Sequence, residues 1–162
     1  MIREAELGDM VKIKRLALGY LERSAYKGID VDERQGMHAL NHCRQSKMAF
    51  LWVGEKDGKI EAVLAGMVQE YWFSSKDKFA TDLVFVCNVP NMAPALMNKF
   101  TEWAWGQKRV REVTMGLSSG MGDVERAGQF YETMGYQKLG GLYMLRNPNI
   151  VDLPEVIREQ GS

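Results

Sequence analysis

The stretch VERAGQFYETMGYQK (residues 124–138) places Tyr131 one turn before Gly135, on a segment whose apolar residues recur at helical spacing. A phenol has a reference pKa of about 10, so it stays protonated at neutral pH and can donate a proton to a leaving thiolate, whose conjugate acid lies at about 8.5. Ala127, Phe130, Tyr131 and Met134 also fall at i, i+3, i+4 and i+7. The same ring therefore fits a core stripe, its hydroxyl tied to the backbone. His38 and His42 stand at i, i+4 beside Cys43, a spacing that can bind zinc. HALNH lacks the glutamate of a metalloprotease and offers no third ligand, so no metal site is expected. The run KRVR (residues 108–111) ends a helical segment, where positive charge offsets the helix dipole.

The elements that must position Tyr131 alternate along the chain. MIREAE reads as a short strand, and Asp9 as the N-cap of a helix with apolar Met10, Ile13, Ala17 and Tyr20. A second helix is expected at 32–45. Two apolar runs then flank Asp57-Gly58, the strongest hairpin signal in the chain. SSKDK reads as a second turn leading into FATDLVFVCNV, which gives three antiparallel strands. After Pro90 the period changes to 3.6, with Leu96, Met97, Phe100, Trp103 and Ala104 on one face and Pro94 in the first turn. REVTMGL reads as a strand, Asp123 caps the Tyr131 helix, and YQKLGGLYML reads as a last strand. The order is β-α-α-β-β-β-α-β-α-β, a mixed, mostly antiparallel α/β sheet with helices on both faces, its crossover right-handed and parallel.

Composition narrows the function classes. A chain of 162 residues, 46% hydrophobic and 26% charged, suits one sizeable core. Lys plus Arg equals Asp plus Glu at 21 each, so no overall field draws the chain to nucleic acid or an anionic membrane. Cys43 and Cys87 fit neither a disulfide framework nor a zinc spacing, and the charged N-terminus is unlike a signal peptide; a reducing, cytoplasmic setting is expected. No apolar run approaches the roughly 18 residues of a membrane span.

The element order, joined to Ala127, Tyr131, Gly135 and Tyr136 as A-x-x-x-Y-x-x-x-G-F/Y, resembles the GNAT superfamily of acyl-coenzyme A dependent N-acyltransferases over about residues 1–146. FTEWAWGQKRVREVTMGLSSG is similar to phage-borne and related bacterial members. The resemblance implies one GNAT-like domain at 1–146 with a tail at 147–162 that forms at most a short helix. It implies acetyl transfer from acetyl-CoA to an amine by direct attack, with a small molecule or protein as acceptor. A GNAT-like structural or host-interaction protein with lost or weak catalysis is the alternative, and a homodimer is left open.

Within that resemblance, Tyr131 matches the tyrosine that commonly protonates the coenzyme A thiolate. Glu70 and Asp82 are the candidate bases for the acceptor amine. Phe85, Val86 and Cys87 match the strand edge that pairs with the pantetheine amides. The family usually binds the pyrophosphate with Q/R-x-x-G-x-G/A, where backbone amides approach the phosphates at a helix start. Here NVPNMAPALM stands in its place, with no glycine or arginine between Ala80 and Glu102. Asn91, Met92, Ala93 and Ala95 are the cofactor contacts in this degraded loop. Val124 replaces the family's asparagine, and Ser118 or Ser119 takes over its contact with the pantetheine arm. Cys87 also reads simply as a small buried hydrophobe.

Overall fold

The computed structural model describes residues 1–117 and 123–150, and five strands form one sheet in sequence order. β1 (Ile2–Glu4), β2 (Ala49–Lys56), β3 (Lys59–Tyr71) and β4 (Ser74–Cys87) are antiparallel neighbours; β5 (Val110–Thr114) joins β4 in parallel. Helices α1 (Met10–Leu21) and α2 (Glu33–Gln45) cover one face, closing a core of Ile13, Ala17, Leu40, Val53 and Val63. Helix α3 (Ala93–Trp105) and Tyr131 of α4 (Val124–Thr133) close a second core on the other face, around Phe50, Leu64, Leu96 and Phe100. The fold is the mixed, mostly antiparallel α/β sheet expected from the element order.

Local chemistry accounts for most boundaries. Asp57 and Gly58 both adopt positive φ (51° and 75°), the geometry of a tight turn whose twist matches that of its strands. Asp32 accepts from the Arg34 and Gln35 amides to start α2, and Asp123 accepts from the Arg126 amide to start α4. Gly135, at φ 93°, stops α4 in the left-handed region. The Tyr136 amide then reaches back to the Tyr131 carbonyl (3.0 Å) and the Gly135 amide to that of Glu132 (2.9 Å), a double bond pattern that satisfies the last turn.

Four expectations are corrected. SSKDK belongs to β4; the turn is Trp72-Phe73, between the paired Tyr71 and Ser74. Its polar residues suit a strand because Lys78 faces Glu70 and Asp77 pairs with Arg109 and Arg111. That pairing also removes KRVR from a helix-end role, since the last turn of α3 has no basic residue. Asp9 makes no side-chain cap for α1; its carboxylate takes the Arg3 guanidinium (2.7 and 3.0 Å) and the Glu6 amide (2.8 Å). Finally, residues 136–145 form no strand. Gly140-Gly141 interrupts the apolar pattern and Leu139, Leu142, Tyr143 and Leu145 are at least 80% exposed, so no buried face offsets the entropy of ordering an added strand. The C-terminal helix expected in the tail falls mainly on 151–162, outside the described residues.

Gly66 on β3 sits where α3 presses against the sheet. A Cβ there would stand 2.5 Å from Cε2 of the fully buried Phe100 and 2.9 Å from the Thr81 carbonyl oxygen on β4. Overpacking of this kind costs about 1–3 kcal/mol. Gly66→Ala should therefore lower stability by that amount in denaturant unfolding; an unchanged midpoint would show that α3 relaxes freely.

Candidate active site at the β4–β5 opening

β4 and β5 pair only from Lys78 to Thr81 on β4 and from Val110 to Thr114 on β5. β4 continues alongside β3 as far as Cys87, opposite Ala62. Where the strands part, the register of β4 slips: Asp82 faces Gly66 and Val84 faces Ala65, leaving Leu83 as an extra residue. Such a bulge bends a strand and re-aims its side chains. From Asp82 to Cys87 the β5-facing edge of β4 has no strand partner among the described residues.

One residue, Gly116, bridges the parting strands. The Asp82 carboxylate accepts from the Gly116 amide (2.9 Å), and the Tyr131 hydroxyl donates to the Gly116 carbonyl (3.1 Å). Burial pushes the Asp82 carboxyl above the usual carboxylate range, against the opposing effect of the Gly116 bond. Burial also raises the pKa of Tyr131, which is 5% exposed; the charge of Asp82 adds to this, followed by Tyr136 and Tyr20. Beside it stands Tyr136, at 5.8 Å between ring centroids, its hydroxyl 3.4 Å from Thr101 Oγ1. The opening thus holds a carboxylate more basic than an exposed aspartate and a phenol kept neutral, on the two sides of a single residue, Gly116.

The other sequence-derived candidates are placed as follows. Phe85, Val86 and Cys87 lie on the free edge: Val86 is buried toward α1, while Phe85 and Cys87 pack toward α3. The Cys87 thiol donates to the Val89 carbonyl (3.0 Å) and burial raises its pKa, so it is a thiol and not a thiolate. Asn91 and Met92 lie in the 3-10 turn before α3, and Ala93 and Ala95 in its first turn. There the Met92 amide is bonded to the Val89 carbonyl (2.9 Å) and the Ala93 amide to the Pro90 carbonyl, within a 3-10 turn over Pro90–Met92. Pro94 has no N–H. The Met92 side chain lies over Gly54, where a Cβ would come within 2.7 Å of its sulfur. Glu70 is exposed and faces Lys78 (4.0 Å), four residues along β3 from the Gly66–Asp82 pair, about 13 Å at strand rise. It is not brought to Tyr131. Ser118 lies outside the described residues.

Cys43 is buried in the core, and among the described residues no three His, Cys, Asp or Glu side chains gather as a metal site. No described helix is long and apolar enough to cross a membrane. The bridging role of Gly116 escaped the sequence reading because it arises only when β5 and α4 meet. Its local signal is a glycine that ends a strand and precedes the Tyr131 helix.

No protein-family model matches the sequence, and no curated protein matches it. Solved structures share the fold. A predicted acetyltransferase from Clostridium acetobutylicum, solved with acetyl-CoA, is 12% identical at TM-score 0.68, over 90% of this chain and 95% of that one. Glucosamine-6-phosphate N-acetyltransferase from Arabidopsis thaliana is 17% identical at TM-score 0.66, over 92% and 98%. A transcriptional regulator from Bacillus halodurans C-125 is 19% identical at TM-score 0.63, over 90% and 99%. The architecture is GNAT-like, and at these identities the likeness is one of fold.

The raised pKa of Asp82 has a consequence for stability. A group whose pKa is higher in the fold contributes stability that is complete below its unfolded value, about 3.9, and is lost as pH rises through the folded value. Asparagine keeps an acceptor for the Gly116 amide without the charge. Asp82→Asn should therefore melt at a progressively higher temperature relative to wild type as pH is raised from about 4 to 7. A difference that stays constant over that range would contradict a destabilised carboxylate.

Proposed function

We propose that this protein is an N-acetyltransferase that moves the acetyl group of acetyl-CoA to an amine by direct attack. The observation that carries this reading is the pairing of Asp82 and Tyr131 across Gly116 at the mouth of a strand edge left open by β5. Acetyl-CoA supplies the thioester. The unpaired edge at Phe85, Val86 and Cys87 suits an extended amide-bearing arm, which can bond to it as an added strand would. Asp82, made more basic by burial, takes the proton of the incoming amine, directly or through water. Tyr131, held protonated, is the acid for the departing sulfur. Glu70 has the weaker claim as base, since it lies exposed along β3 from these two groups. The acceptor is an amine-bearing small molecule or protein, and the two free cysteines suit a reducing cytoplasm.

A specific observation favours a second reading, a GNAT-like protein of weak or lost catalysis acting through interactions. A helix start binds phosphate through free amides, and here Met92 and Ala93 use theirs within the 3-10 turn while Pro94 has none. Under the first reading this start predicts weakened affinity for acetyl-CoA, with the strand edge providing most of the hold.

Tyr131→Phe separates the two readings. The variant keeps the buried ring and removes one hydrogen bond, so its stability should fall by at most about 1–1.5 kcal/mol. In an assay of thiol release from acetyl-CoA with an amine panel, turnover should fall about 10² to 10⁴-fold while acetyl-CoA affinity is retained. Turnover equal to wild type would return Tyr131 to a packing role.

A further inference from the structure

A basic groove lies away from the β4–β5 opening, between α1 and the β2–β3 hairpin. It is an open groove of about 540 Å³, lined by Lys12, Arg15, Leu16 and Gly19 of α1, by Arg23 just past the end of that helix, and by Gly58, Lys59 and Ile60 of the hairpin. Four of its side chains are cations and none is an acid. Among the described residues none of the four donates a hydrogen bond or closes an ion pair. Lys12 only senses Asp9, whose carboxylate is already held by Arg3. Elsewhere Arg3 pairs with Asp9 and Glu55, Lys14 with Glu33, and Arg109 and Arg111 with Asp77, while cations such as Lys27, Lys47 and Lys76 close no ion pair among the described residues. In a chain of net charge zero, four clustered cations facing one groove are a local excess and not a reflection of composition.

The arrangement on α1 is directional. Lys14 and Leu18 face α2, through Glu33 and Gly36. Lys12, Arg15 and Gly19, spaced by three or four residues, follow another flank of the same helix, and Arg23 lies in the turn just beyond its end. Gly19 is the independent sign. It lies inside the helix, where glycine is unfavourable relative to alanine, yet a Cβ there would meet nothing within 4 Å. Neither packing nor a positive φ requires it. Gly19 is exposed, and the missing side chain leaves the helix backbone accessible there. Leu16 and Ile60 add an apolar floor, and the volume is that of a small-molecule site, not a surface for a long polymer.

We propose that this groove is a second site, separate from the opening that takes the acyl donor, for a small organic anion bearing two or more phosphate groups, of nucleoside di- or triphosphate size. Arginine forks suit phosphate oxygens and the lysines add charge at the rim. The probes are inorganic tripolyphosphate and ATP, titrated calorimetrically into the whole chain at low and at physiological salt. Both should bind, ATP tighter than tripolyphosphate because of the apolar floor, with affinity falling as salt rises. Arg15→Glu combined with Arg23→Glu should weaken binding at least tenfold. Gly19→Leu, which the open space accommodates, should weaken it similarly without changing any charge. Acetyl-CoA affinity should be unchanged in both variants. The proposal is overturned by no heat at millimolar probe, or by wild-type affinity in Gly19→Leu, which would indicate mere surface condensation. A parallel loss of acetyl-CoA affinity would make the groove part of the donor site, and affinity that grows with the length of a single-stranded oligonucleotide would make it a polymer surface; either outcome also overturns it.

Discussion

The parting of β4 from β5 is the constraint on which the candidate site depends. Two parallel strands that stayed paired would bond every facing amide and carbonyl, leaving nothing to offer a ligand. Here pairing stops at Thr81 and Thr114, and the bulge at Leu83 bends β4 just beyond that point. Gly116 then bonds to two side chains, to Asp82 through its amide and to Tyr131 through its carbonyl. The groups that keep the edge open are thus the same groups that carry the proposed chemistry. Their altered pKa values share one cause, burial in the cleft that the parting creates.

The packing of α3 supports this geometry from behind. Gly66 lets the Phe100 ring approach β3 directly opposite Asp82, and Met92 closes over Gly54 at the other end of the second core. The tight lead-in to α3 has the opposite consequence for function. A 3-10 turn followed by proline begins the helix without a side-chain cap, and it does so by using amides that an anion would otherwise receive. The same turn that anchors the loop therefore weakens it as a phosphate cradle, which is why a catalytic and a non-catalytic reading both draw on real features of the molecule.

Much of this was legible in the sequence, because the signals were local. The Asp57-Gly58 turn, the Asp123 cap, the Gly135 stop and the apolar face of α3 each depend on residues within one or two turns of one another. Tyr131 and Asp82 were identifiable as candidates by residue type and element, but their joining through Gly116 was not, since it needs β4, the segment after β5 and α4 in contact. Polarity misled at SSKDK, where ion pairs to Glu70 on β3, to Arg109 just before β5 and to Arg111 on it support a charged strand, and at Asp9, whose partner Arg3 lies upstream on β1. Apolar alternation misled at residues 136–145, where the exposed side chains have no face to bury.

Acetyl-CoA is proposed to lie along the open edge of β4 as an added strand would. Backbone hydrogen exchange, followed residue by residue with and without acetyl-CoA, tests it most directly. Slowed exchange is expected at alternate amides between Asp82 and Cys87, those directed away from β3, with little change in the β2–β3 ladder. Acetyl-CoA that binds while leaving every β4 amide between Asp82 and Cys87 unprotected would contradict it.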